Sequence, residues 1–158
     1  MTQREILDKA RAMRVLNKAT ARAVAREGTV DEVIRVMGYF DPWTQGAAYA
    51  AGDSVLWDGQ PLTCRMDHDT AAHPDWTPGA APTLWKRWHA MDPSLALPFI
   101  RPTGTGDAYR LGEAVRWALP EGAEAVYVCL EEGVAHTPSE RPEAWALSGA
   151  PEGEEATA

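Results

Sequence analysis

Cysteine is scarce: Cys64 and Cys129 are the only two in a chain of 158 residues. Two are too few for a disulfide framework and fit a protein made in a reducing cytosol. Long apolar runs are missing as well. Nothing approaches the roughly 20 consecutive apolar residues that a membrane-spanning helix needs. The start, MTQREILDKARAMRVLNKA, is charged throughout and lacks the apolar stretch of a secretory signal. The expectation is a chain with no signal peptide and no membrane insertion. There is no glycine-rich phosphate loop and no carboxylate pair arranged for hydrolysis. The reading is therefore non-enzymatic, with no catalytic residue and no cofactor. Phenylalanine occurs twice, whereas tryptophan occurs seven times. So many indoles mean either compact aromatic cores or exposed stacking platforms.

The net charge of −8 conceals an asymmetry. Residues 1–28 hold seven Lys/Arg against Glu5, Asp8 and Glu27, a balance of +4, which leaves −12 for the rest. An acidic body repels phosphate, so nucleic acid is not the expected partner.

The first segment reads as helix. Thr2 followed by Glu5 is a capping-box pattern. Ile6, Ala10, Met13, Asn17, Thr20 and Val24 then fall at heptad spacing, a seam with small and polar members. Such a seam either docks on its own body or self-associates. The few large apolar residues favour self-association, giving a homo-oligomer, with a trimer as one form. Gly28 breaks this helix, and Thr29 with Glu32 opens a short second one that Gly38 ends.

After YFDPW the chain turns to strands and loops, rich in proline and glycine. Val55 and Trp57 alternate with polar neighbours before DGQP, a hairpin signal, and LTCRM follows as the second strand. AYAAGDSVLW at 48–57 then returns 60 residues later as AYRLGEAVRW at 108–117. Pro42, Gly46, Tyr49, Gly52, Val55 and Trp57 match Pro102, Gly106, Tyr109, Gly112, Val115 and Trp117. Cys64 matches Cys129 across a longer second turn, and PTLW at 82–85 matches PEAW at 142–145. Two diverged copies of one module are implied. The expected organisation is α+β: a basic helical arm over 1–38 and an antiparallel three-stranded module over 39–88. A linker over 89–98, a second three-stranded module over 99–146 and an acidic disordered tail over 147–158 follow.

The chemistry-bearing residues divide by the same comparison. Trp57, Trp85, Trp117 and Trp145 recur in both copies and read as core. Trp43, Trp76 and Trp88 have no such counterpart, Trp43 falling opposite Thr103, and read as ligand-contact candidates. Asp67, His68, Asp69 and His73 lie close together and are residue types that ligate metals. A Cys64/His68 nucleophile pair needs an oriented base, and the recurrence of cysteine as Cys129 favours a small buried core residue for both.

At this point a resemblance appears. The stretch PWTQGAAYAAGDSVLWDGQPLTCRMDHDTAAHPDWTPGAAPTLW resembles chitin-binding type 3 modules, the carbohydrate-binding modules of families 5 and 12. It does so through Trp43, Gly46, Tyr49, Gly52-Asp53, Val55, Gly59, Leu62, Trp76 and Trp85. The order of parts is also similar to small proteins of tailed bacteriophages and prophages. It runs from a basic helix through YFDPW, Cys64, His68, DWTP and LW to PTGTGDAYRLGE at 102–113. The resemblance implies a compact module that packs some aromatics and displays others to a polysaccharide. On that basis Trp43, Trp76, His68 and Trp88 are the expected ligand-binding residues. His68 is the family's recurring histidine, which implies that it ties down its loop by hydrogen bonds, so no metal site is expected from it and its neighbours. It also implies a place in the virion, assembled in the host cytoplasm, with other tail proteins as partners. One departure matters: the family's adjacent aromatic pair falls here at Met66 and Asp67, and near Glu131 and Glu132 in the second copy.

The expected function is a non-enzymatic tail- or fibre-associated structural or adhesion protein. Two alternatives stand beside it: a working glycan-binding module for cell-surface polysaccharide, and an assembly chaperone for a tail fibre.

Overall fold

A computed structural model describes residues 1–104 and 106–148. The chain is α+β and divides into two compact units, residues 1–86 and 87–158.

Unit 1 begins with helix α1, Gln3–Glu27. The Thr2 amide donates to the Glu5 carboxylate at 2.7 Å and the Glu5 amide to the Thr2 hydroxyl at 3.2 Å, closing the expected capping box. The helix ends at Gly28, where a Cβ would lie 2.7 Å from the Val24 carbonyl oxygen. Helix α2, Val30–Val36, follows, with Thr29 accepting the Glu32 amide. Its Val33 and Ile34 are buried together with Ala21 and Ala25 of α1, whose small side chains let the two helices approach. The N-terminal half of α1 has no such cover. Residues 1–16 are all exposed, including Ile6, Leu7, Met13, Val15 and Leu16.

The strands of unit 1 are β1 (Asp41–Pro42), β2 (Ala48–Tyr49), β3 (Ser54–Trp57), β4 (Gln60–Cys64), β5 (His68–Asp69) and β6 (Trp85–Arg87), the last residue of which, Arg87, begins unit 2. Four of them form one sheet in the order β1-β3-β4-β6, and β2 pairs with β5 apart from it. β1 runs parallel to β3 with Asp41 opposite Val55. β3 and β4 are the predicted hairpin, Val55 opposite Leu62. Its two-residue turn holds Asp58 at φ 52° and Gly59 at φ 73°, the left-handed pair that matches the twist of the flanking strands. Val55, Leu62, Cys64 and Trp85 form the core, with Trp43, Tyr49, Trp57 and Leu84 packed on it.

Unit 2 holds β7 (Leu97–Pro98), β8 (Ala114–Ala118), β9 (Glu124–Cys129) and β10 (Trp145–Leu147), hydrogen-bonded in that order. β7 is parallel to β8, and the other neighbours are antiparallel. Its core is Tyr109, Val115, Cys129, Val134, Ala144 and Trp145, with Phe99 and Tyr127 against it.

The main sheet of each unit thus has four strands where three were expected. The additional members, β1 and β7, are two residues long, too short to show a period in sequence. The stretch 89–98, expected as a linker, belongs to unit 2. Ala90 bridges to Ala114, Leu97 pairs with Val115, and Ala90 is fully buried. Residues 147–148 continue the last strand, with the Ser148 amide on the Val126 carbonyl. The rest of the predicted tail, 149–158, lies outside the described residues. Trp85 and Trp145 are buried as expected, whereas Trp57 and Trp117 sit half-buried at the rims. Both cysteines are free and buried, each thiol donating to a carbonyl two residues on, Met66 and Glu131, at 3.1 Å. Burial pushes both thiols above their ordinary value.

Asp107 organises the loop before β8. It accepts the amides of Thr103 and Gly104 at 2.9 Å and the Thr103 hydroxyl at 3.0 Å, with the Arg87 guanidinium 3.5 Å away. Burial alone would raise its carboxyl, but these donors outweigh it and hold it below the usual range. A depressed carboxylate stabilises the fold above its unfolded pKa of about 4, and that contribution is lost as pH falls through the folded value. Asp107→Asn is expected to cost about 1–3 kcal/mol at pH 7. In urea titrations the gap to wild type should narrow as pH falls below about 4; a gap that does not change with pH would show that the charge contributes nothing.

Candidate functional site

The half-buried aromatics of unit 1 gather where β1 leaves the sheet. The Trp43 amide donates to the Leu56 carbonyl at 2.8 Å, extending the β1–β3 ladder by one residue. Its ring meets Trp57 edge to face, centroids 5.2 Å apart at 82°. The loop that follows is pinned by Tyr49, whose hydroxyl accepts the Thr44 amide at 2.8 Å. Tyr49 in turn lies 5.2 Å from Trp85, at 73°, on the core. Trp43 is thereby held from both sides, by strand and by tyrosine. Its indole nitrogen is buried and has no hydrogen-bond partner among the described residues.

Trp76 lies on the long loop between β5 and β6. It is half-buried and stacks on His73 at 3.7 Å and 8°. The Gln45 amide group donates to the Pro74 carbonyl at 3.1 Å, tying the turn after Trp43 to the loop that carries Trp76. The structure thus links the segments bearing two of the four expected ligand residues.

The other two lie elsewhere. His68 is 9% exposed and anchors its loop: Nδ1 is 2.8 Å from the Met66 carbonyl, so this nitrogen carries the proton and donates. The ring packs between Tyr49 and Trp85, at 5.7 and 5.4 Å. Trp88 is 7% exposed and belongs to unit 2, whereas Trp43 belongs to unit 1. A ring so enclosed offers almost no face for stacking.

Cys64 Sγ lies 3.5 Å from His68 Nδ1, but both groups donate to the same Met66 carbonyl. With its proton committed there and its pKa raised by burial, the thiol is a packing group. The carboxylates nearby are also engaged: Asp53 accepts the Ala50 amide, Asp67 the Ala51 amide and Asp69 the Ala71 amide, at 2.8–2.9 Å. Among the described residues no group of three or more His, Cys, Asp or Glu could hold a metal ion. Among them, too, no helix is long and apolar enough to cross a membrane.

Met66 is 60% exposed, so the position of the expected aromatic pair shows a flexible thioether and a carboxylate bound to backbone. Trp57 was expected only as core, yet it joins Trp43 at the rim. Its place near the strand end, two residues beyond buried Val55 on the same face, was the available signal. Gln45 carried none. The alignment of Trp43 with Thr103 is corrected by the ladder: the Phe99 amide donates to the Arg116 carbonyl at 3.0 Å, as Trp43 does to Leu56. Trp43 and Tyr49 are six positions apart, Phe99 and Tyr109 ten. The longer loop hid the correspondence.

Over 45 residues, 28% of this chain, the sequence is 44% identical to Streptogrisin-C of Streptomyces griseus. The match covers 9% of that protein, so the chain spans less than a tenth of the curated relative's length. The segment 42–86, which carries Trp43, Tyr49, Trp57 and Trp76, matches the model of carbohydrate-binding module family 5/12 and is similar to those modules.

Proposed function

We propose that unit 1 is a glycan-contact module, and that the chain acts without catalysis as a structural or adhesion protein of a tailed-phage particle. Its expected partners are other tail proteins and a cell-surface polysaccharide. The observation that carries the glycan reading is a coincidence of place. The segment similar to family 5/12 is the one in which Trp43 is braced against Trp57 and linked through Gln45 to the loop of Trp76. The tail setting rests on the order of sequence motifs, and its test is mass spectrometry of purified particles. Recovery of the chain only from lysate, never from particles, would favour the chaperone alternative.

Affinity should be low for one copy. A stacked ring contributes about 1 kcal/mol, and even a millimolar Kd requires about 4 kcal/mol. With Met66 and Asp67 in place of two rings, useful retention depends on several copies meeting one polymer. The full chain should therefore be retained on insoluble chitin but show little heat with short chito-oligosaccharides. Trp43→Ala should lower retention about five- to tenfold, the loss of one ring's roughly 1 kcal/mol. Unchanged retention in a folded variant would remove Trp43 from the contact surface.

The arm supplies multiplicity in this reading. Residues 3–16 of α1 expose Ile6, Leu7 and Met13, and a solvated helix of that length is marginal without a partner. Homo-oligomerisation through this seam is the proposal. Light scattering on the full chain should give a multiple of the 17.2 kDa protomer, and Ile6→Asp with Met13→Asp should give the protomer itself. A monomer in both would end it.

A further inference from the structure

We infer that Phe99 and Trp117 form a second sugar-stacking face in unit 2, outside residues 42–86, which match the family 5/12 model. It would take the same class of ligand, a pyranose ring of a polysaccharide. The inference rests on the glycan reading of unit 1 and adds a site to it.

Bond by bond, unit 2 repeats the framework that positions Trp43. The Trp43 and Phe99 amides donate to Leu56 and Arg116, at 2.8 and 3.0 Å. The next amides, Thr44 and Ile100, donate to the hydroxyls of Tyr49 and Tyr109, at 2.8 and 3.1 Å. Gly52 and Gly112 donate to the carbonyls of Cys64 and Cys129, both at 2.8 Å. Both glycines hold positive φ, 95° and 89°, where a side chain is strained. Asp53 and Glu113 turn back onto the amides of Ala50 and Arg110, at 2.9 and 2.7 Å. Arg65 and Leu130 donate to Leu84 and Ala144, both at 2.8 Å.

On this shared framework the aromatic pair returns with its geometry intact. Phe99 meets Trp117 edge to face, centroids 5.7 Å apart at 80°, against 5.2 Å and 82° for Trp43 and Trp57. Both unit 2 rings are half-buried, so each keeps an outward part. They are also fixed. The Trp117 indole nitrogen donates to the Ser139 hydroxyl at 2.9 Å, and Phe99 is backed by Tyr109 at 5.2 Å and 23°. Rings already ordered lose little entropy when a sugar stacks on them. Glu131, one of two carboxylates near the missing aromatic pair, is neutralised by Arg141 at 2.6 Å.

The test uses the full chain labelled with 15N and titrated with chitohexaose, reading the indole N–H signals. Trp117 is assigned by its loss in Trp117→Phe. Trp117 should shift together with Trp43, and should still shift in Trp43→Ala. On insoluble chitin, Trp117→Ala should lower retention about fivefold, and the double variant should fall below either single one. A Trp43 shift with Trp117 unmoved would overturn the second site and leave the unit 1 reading standing. If neither indole moves and the wild type is not retained on chitin, the glycan reading fails, and the second site with it.

Discussion

A tyrosine hydroxyl accepting one backbone amide is the constraint on which each unit turns. Tyr49 takes the amide of Thr44, and Tyr109 that of Ile100. Each ring also packs edge to face on the innermost tryptophan, Trp85 or Trp145. The same side chain therefore ties an irregular loop to the centre of the core. Units this small bury little surface, and loops in them are held by few contacts. A large ring with a polar tip suits that position because its body stabilises the interior while its hydroxyl satisfies a loop amide. Where enclosure is deepest the cost shows: burial pushes the Tyr109 hydroxyl up to about 12, so it stays protonated throughout the ordinary pH range.

The two units differ in what surrounds the tyrosine. Beside Tyr49, across the β2–β5 pair, stands His68; the residue bridged to Tyr109 is Val134, fully buried. Unit 2 brings its imidazole from elsewhere. His89 stacks on Tyr109 at 4.1 Å and 20°, and its Nδ1 lies 2.9 Å from the Glu113 carboxylate. That carboxylate also caps the turn of Gly112, so the pair joins the start of unit 2 to its central hairpin. In unit 1 the corresponding turn carboxylate, Asp53, has no imidazole at such a distance among the described residues. Each tyrosine thus carries an imidazole ring beside it, His68 from β5 in unit 1 and His89 from the start of unit 2, and the two rings secure different loops.

What the sequence revealed followed from local chemistry. Thr2 and Glu5 satisfy each other's neighbourhood within one turn, and Asp58-Gly59 demands a left-handed turn, so both were legible without tertiary knowledge. The correspondence between the units was legible where the spacing is equal, from Tyr49/Tyr109 to Trp57/Trp117. It failed upstream of the tyrosines because the loop there is longer in unit 2, and equal offsets no longer meant equal places. Phe99 was thus passed over in favour of Thr103. Residues 89–98 read as a linker because two prolines and short apolar pieces carry no period. Their pairing with Ala114 and Val115 is long-range and leaves no local trace. Trp88, classed by its lack of a counterpart, is buried, and it belongs to a unit whose start the sequence placed too late.

The candidate site illustrates a division between holding and displaying aromatic rings. Trp85 and Trp145, at 3% and 4% exposure, belong wholly to the core. Trp43, Trp57 and Trp76 keep part of each ring outside while a neighbour fixes its tilt. Edge-to-face contact suits this double duty. It directs the positive rim of one ring at the negative face of its neighbour and contributes about 0.5–1.5 kcal/mol beyond area burial. A rim built this way is rigid but discontinuous, with Met66 and Asp67 where further rings would enlarge it. Rigid, small faces favour contact with a repeating polymer over capture of a single sugar. Each encounter is weak, and strength comes from the number held near one chain. In the proposed reading, such a number would come from the exposed seam on α1, in the part of the helix furthest from the buried alanines.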